Sequence, residues 1–205
     1  MVKVETFGPQ APVNLRCEYA KQALGIDRPN PRLSWVPRHE GTDQYQRAYQ
    51  VIIADDQALV ADGKGNIWDT GKVECSRSVN IVYEGQKLES CHKYYWRVRW
   101  WDKDDTVSPY SDIAEFETGI LDQDEWSAAW IANGDDASPD SVTVEAKHNL
   151  RPGSLLRKEF DIEKEVKAAK VYIAGLGYYE LRINGGKVED RVLDPGQTDY
   201  RKTVL

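Results

Sequence analysis

The chain has 205 residues, 40% hydrophobic and 30% charged, with a net charge of −7 at pH 7 and a pI near 5.1. That composition describes a folded globular protein of one large or two small domains, and excludes a disordered chain. The acidic balance argues against a nucleic-acid backbone or an anionic membrane surface as partner, since both need clustered Lys and Arg. Seven Trp and eleven Tyr stand against three Phe; rings with a polar tip suit sandwich faces and sugar-stacking surfaces alike. Cys17, Cys75 and Cys91 are an odd number at no metal-like spacing. Reduced thiols are expected, although Cys75 and Cys91 could pair. Residues 1–12, MVKVETFGPQAP, hold no apolar leader, and no run reaches membrane-spanning length, so a cytoplasmic protein is expected, with a secreted one whose signal peptide had been trimmed as the alternative.

In chain order, residues 1–11 read as a leading strand and a Pro-containing loop, and residues 13–19, VNLRCEY, as the first core strand. Two prolines make residues 25–31 a loop. Residues 32–36, RLSWV, form a strand in which Leu33 and Trp35 flank Ser34, with Trp35 a core anchor. Residues 44–54, QYQRAYQVIIA, form another, with Tyr49, Val51 and Ile53 on one face. A short helix or loop covers 59–65. Strands follow at 67–72 and at 78–83, where Val79, Ile81 and Tyr83 alternate.

Residues 88–101, LESCHKYYWRVRWW, carry the heaviest aromatic load. In a strand Tyr94, Trp96, Val98 and Trp100 share a core face, while Tyr95, Arg97, Arg99 and Trp101 share a half-exposed one. The two Arg and Trp101 are expected to be a supporting ladder rather than a binding patch. Leu88 lies six residues before Tyr94, the spacing of a tyrosine corner. An acidic hairpin loop at 102–109 and a closing strand at 110–118 complete seven short strands in about a hundred residues, the pattern of an immunoglobulin-like sandwich. Asp102, Asp104 and Asp105 could hold Ca²⁺, but the loop lacks the spacing and closing Glu of an EF-hand, so it is expected to be solvated. The same holds for Asp135, Asp136 and Asp140. No metal or other cofactor is expected.

Residues 121–153 read as a junction, with Trp126 and Trp130 four apart, and then a polar surface excursion. Strands are expected at 154–162, 168–174 and 178–183. Asn184 and Gly185, between Ile183 and Val188, signal a two-residue hairpin turn, and Asp194, Pro195 and Gly196 a second turn. The fold expected is all-β: a fibronectin III-like or immunoglobulin-like sandwich at 1–120, then at 154–205 a second, jelly-roll-like β-sandwich that reads as truncated. An unpaired strand edge there predicts self-association, or poor order after about Asp135. No nucleophile motif is present, and His39, His92 and His148 sit apart without metal-like partners. The bend at Gly175 and Gly177 is followed by no helix, so it is not a dinucleotide loop.

Two stretches carry a resemblance. Residues 88–119 look like the second half of a fibronectin type III-like module. The run Leu176, Gly177, Tyr179, Glu180, Leu181, Asn184, Gly185, Asp190, Pro195, Gly196, Thr198, Asp199 and Tyr200, with Trp130 and Ile131 at the junction, resembles the N-terminal β-sandwich of bacterial α-L-rhamnosidases. Gln197 departs from it, standing where that family usually has Trp. The resemblance implies a glycoside hydrolase that releases terminal α-L-rhamnose with inversion. Its two carboxylates, about 6.5–9.5 Å apart in inverting enzymes, would lie in a downstream helical barrel, so no catalytic residue is expected in this chain. The segment would brace that barrel, its partner in the same polypeptide, and help to recognise rhamnosylated glycans. The best candidates for sugar contact are Asn184, Asp194, Asp199 and Tyr200, gathered at a rim of turns where Ca²⁺ could also sit. The bland alternative is that turn geometry alone requires these residues. A free-standing carbohydrate-binding or protein-interaction module is the rival reading, and calorimetry with rhamnose tests it.

Overall fold

The aromatic stretch folds as a nine-residue strand, Lys93–Trp101, rather than over all of residues 88–101. Tyr94, Trp96, Val98 and Trp100 are buried, while Tyr95, Arg97, Arg99 and Trp101 are half-buried. A computed structural model describes residues 8–132, 153–167, 169–188, 190, 192–196 and 198–201. The chain divides into two units, Met1–Ala129 and Trp130–Leu205.

The elements of the first unit are β1 (Pro9–Cys17), β2 (Ala23–Ile26), β3 (Arg32–His39), β4 (Ala48–Ala54), α1 (Gln57–Ala61), β5 (Trp68–Asp69), β6 (Val73–Glu74), β7 (Ile81–Val82), β8 (Lys93–Trp101) and β9 (Ala114–Thr118). One sheet has the order β1-β3-β7 and the other β2-β9-β8-β4-β5, with β6 also paired to β4. Apart from β2, which runs parallel to β9, the pairs are antiparallel. Leu33 and Trp35 of one sheet and Val51, Ile53, Trp96 and Val98 of the other share one buried core. Trp35 meets Tyr49 edge-on at 5.1 Å, and the Trp100 indole N–H donates to the Gln10 carbonyl at 2.9 Å, tying β8 to β1. The tyrosine corner is present: the Glu89 amide donates to the Tyr94 hydroxyl at 2.8 Å, beside buried Leu88.

Several local expectations are corrected. Residues 9–11 already belong to β1, because an edge strand with broken register at Gln10, Val13 and Arg16 tolerates its prolines. Part of the loop expected at 25–31 is β2, whose pairing shifts around Gly25 at φ +66°, a conformation that glycine adopts freely. All of β4 is buried, not one face of it, because Val60 and Leu59 of α1 pack over Ile52 and Ala54. At 78–83 only Ile81–Val82 is a strand, and Val79 is exposed while Ile81 and Tyr83 are buried. Cys17, Cys75 and Cys91 are all free thiols, which removes the pairing of Cys75 with Cys91. Asp102 is not solvated: it is buried, and its carboxylate accepts the Asp104 and Thr106 amides at 3.0 and 2.8 Å, closing the turn after β8.

In the second unit the described strands are β10 (Arg182–Ile183) and β11 (Gly186–Lys187), antiparallel across a turn at Asn184 and Gly185, both at positive φ. The hairpin read from those two residues is therefore present. Tyr179 forms an isolated bridge with Asp194. No strand is assigned at 154–162 or among the described residues of 168–174, since extended backbone becomes a strand only when a partner takes its hydrogen bonds. None of the described residues of this unit is buried. The Asp135, Asp136 and Asp140 cluster, His148 and Gln197 lie outside the described residues.

Candidate functional site

The rim of turns in the second unit is built by the β10–β11 hairpin and the segment after it. Asn184 occupies the hairpin turn at φ +49°. The Asp194 carbonyl accepts the Tyr179 amide at 2.8 Å, which folds this segment back toward the hairpin. The Asp199 carboxylate accepts the Arg201 amide at 3.1 Å and its guanidinium at 3.0 and 3.2 Å, and those bonds hold it below the usual carboxylate range. Tyr200 is 44% exposed. No hydrogen bond or ion pair among the described residues joins Asn184, Asp194, Asp199 and Tyr200 to one another. Glu180, which the sequence reading did not single out as a contact, is held by two cations here. Arg182 at 2.7 Å and Lys187 at 3.3 Å lower its pKa. The signal was local, since all three flank one hairpin.

The second candidate, the outer face of β8, is closed on itself. Arg99 donates to Gln50 at 2.8 Å and lies 4.8 Å over Tyr110 and 5.2 Å over Trp101. Arg97 donates to the Ser111 carbonyl at 2.8 Å and reaches the Val60 and Ala61 carbonyls at the end of α1. These cations hold elements together, as a supporting ladder does.

A His–carboxylate pair also lies in the first unit, His39 Nε2 being 3.4 Å from Asp102 with both side chains buried. Nδ1 of His39 accepts the Gly41 amide at 2.7 Å, so the pair serves two turns. His92 packs at 4.9 Å on Tyr94, at the corner. Burial pushes the Cys17 thiol up to about 12, with Glu18 adding to it, which makes that thiol a poor nucleophile. Among the described residues, no group of three or more His, Cys, Asp or Glu could hold a metal. No described helix is long and apolar enough to cross a membrane.

Comparison with known proteins places these two units in series. Residues 12–122 match the family described as Rha78A-like, N-terminal immunoglobulin domain. The chain belongs to that family. Residues 164–205 match the alpha-L-rhamnosidase N-terminal domain. An alpha-L-rhamnosidase of Formosa agariphila is 34% identical over 190 residues, covering 87% of this chain and 20% of that protein. An alpha-L-rhamnosidase structure from Dictyoglumus thermophilum is 43% identical with a TM-score of 0.79, over 93% of this chain and 22% of its own. The Streptomyces avermitilis alpha-L-rhamnosidase, complexed with L-rhamnose, is 35% identical with a TM-score of 0.57, over 61% of this chain and 12% of its own. The chain thus spans about a fifth of the length of the curated relatives it matches. The fold is all-β, and the segment corresponds to the N-terminal domains of these family members.

Proposed function

We propose that this chain is the bracing N-terminal segment of an α-L-rhamnosidase, an enzyme that hydrolyses terminal α-L-rhamnose from glycosides. The observation that carries this reading is the pair of family matches in series, at 12–122 and 164–205. In functional terms the chain reads as a sandwich at 1–120, a junction at 121–153 and part of an accessory β-sandwich at 154–205. The exposed apolar residues of the second unit, among them Leu155, Phe160 and Val192, are surface that a catalytic barrel of the same polypeptide would cover. The purified chain is expected to release no rhamnose from an aryl α-L-rhamnoside. Excision of the matching segment from a full-length relative is expected to lower its Tm. Rhamnose release by the chain alone, or an unchanged Tm after excision, would count against the reading.

A contribution of the rim to substrate recognition is a second reading, favoured by the exposed ring of Tyr200 beside the turn segments. Calorimetry with L-rhamnose, with and without Ca²⁺, tests it. Heat that disappears in Tyr200→Ala supports the rim, and no heat at millimolar sugar removes it.

A further inference from the structure

One flank of the first unit is left open where the short edge strand β7 of one sheet faces β5 and β6 of the other. A groove of about 420 Å³ lies there, lined by Tyr49, Trp68, Asp69, Arg77, Asn80 and Glu84 among others. That volume falls within the range of about 300–1,000 Å³ typical of small-molecule sites.

Several of the polar groups lining the groove have no partner among the described residues, although Asp69 and Thr70 are bonded. Many charges elsewhere in this unit are paired, among them Arg32 with Glu18, Arg47 with Glu74, Lys72 with Asp105, Lys93 with Glu115 and Lys103 with Asp43. Around the groove, the side chains of Arg77, Asn80 and Glu84, the Tyr49 hydroxyl and the Trp68 indole N–H make no hydrogen bond or ion pair with another described residue. Yet the rings themselves are fixed. Trp68 stands edge-on to Tyr83 at 5.1 Å, and Tyr49 edge-on to Trp35 at 5.1 Å. Burial raises the Tyr49 hydroxyl pKa, so it is a neutral donor at pH 7, with Arg77 and Glu84 close enough to act on it.

We propose that this groove binds a neutral pyranose sugar, at a site separate from the rim of turns. A pyranose has an apolar C–H face that packs on an aromatic ring, and vicinal hydroxyls that each donate and accept. The groove offers two rigid rings, donors from Arg77, Asn80, Tyr49 and Trp68, and acceptors from Glu84, Asn80 and the free oxygen of Asp69, whose Oδ1 already holds Gln50 and Gly71. One guanidinium against two carboxylates disfavours an anionic ligand, which separates this site from a phosphate or uronate pocket. The open, polar lining likewise disfavours an acyl chain.

The test is a ¹H–¹⁵N titration of the full chain with methyl α-L-rhamnopyranoside, methyl β-D-glucopyranoside, methyl β-D-xylopyranoside and glucuronate, each to high millimolar. The expected result is a saturable shift of the Trp68 indole N–H with at least one neutral glycoside and none with glucuronate. Arg77→Ala and Glu84→Gln should each weaken that binding by about tenfold. These side chains are unpartnered, so the other resonances should be unchanged and the variants should remain folded. Tyr200→Ala should leave the affinity unchanged. The proposal is overturned if no neutral glycoside moves the Trp68 signal, if only residues 184–200 shift, if glucuronate alone binds, or if both groove substitutions leave the affinity intact.

Discussion

The two units share one alternating pattern of apolar and polar residues but use it differently. In the first, every inward position of β8 is buried, and Trp96 and Val98 share one core with Leu33 and Trp35 of the other sheet. In the second, Leu155 is 98% and Phe160 73% exposed, and none of the described residues is buried. Alternation specifies a face, but burial needs a second layer to receive it. The first unit contains its own second layer. The second does not supply one among its described residues.

The largest effect that would sharpen this contrast is a core truncation. Trp96→Ala or Trp35→Ala should destabilise the first unit by about 3–5 kcal/mol, through lost burial plus the cavity left behind. Denaturant unfolding followed by Trp fluorescence measures it, and a cost under about 1 kcal/mol would mean the sandwich core is not what holds this unit. Removing the corner hydroxyl with Tyr94→Phe should cost about 1 kcal/mol, the net worth of one hydrogen bond, and leave Glu89 without its acceptor.

Two pH effects come next. The β1–β2 turn places Glu18 at φ +44° and Tyr19 at φ +70°, and Arg32 holds it from three sides. Its guanidinium lies 2.6 Å from the Glu18 carboxylate and its cation 4.8 Å over Tyr19, while its backbone amide donates to Glu18 at 2.6 Å. The side-chain bonds from Arg32 lower the Glu18 pKa below its ordinary 4.5. A depressed folded value gives stability that is complete above pH 4.5 and is lost on acidification through the folded pKa. Glu18→Gln should flatten that part of an acid unfolding curve, and an unchanged slope would remove the pair from the account. Cys17 has the opposite sign. Its folded pKa is raised from 9.0 to about 12, so its contribution is complete below pH 9 and fades as pH rises toward 12. Thiol labelling at pH 8 should accordingly modify exposed Cys91 first, half-buried Cys75 later, and Cys17 only on unfolding. The smallest effect belongs to the second unit, where Phe160→Ala or Val171→Ala should change the stability of the isolated chain by less than about 0.5 kcal/mol.

How much of this was legible in the sequence follows from the range of each signal. The β8 faces, the tyrosine corner and the Asn184 hairpin are read from residues within one strand or turn, and each has a local physical cause. Parallel β2 was missed because Gly25 and two prolines mark a loop, while the partner, β9, lies ninety residues on. Burial of both faces of β4 depended on where a five-residue helix lands. Asp102 looked like solvent-facing charge because nothing local shows that two amides turn inward to meet it. The four rim residues were legible as turn formers, and the geometry gives Asp199 to Arg201 without joining the four. The groove residues come from three separate segments, at 49, 68–69 and 77–84, so no spacing in the sequence announces them.

Hydrogen exchange followed by mass spectrometry on the isolated 205-residue chain probes the contrast between the two units most directly, because amide protection reports local opening free energy. Strong protection is expected in β3, β4, β8 and β9, with near-unprotected exchange at residues 155–162 and 171–174. Equal protection of both sets would show that the second unit closes a core of its own, and the contrast between the two units would be wrong.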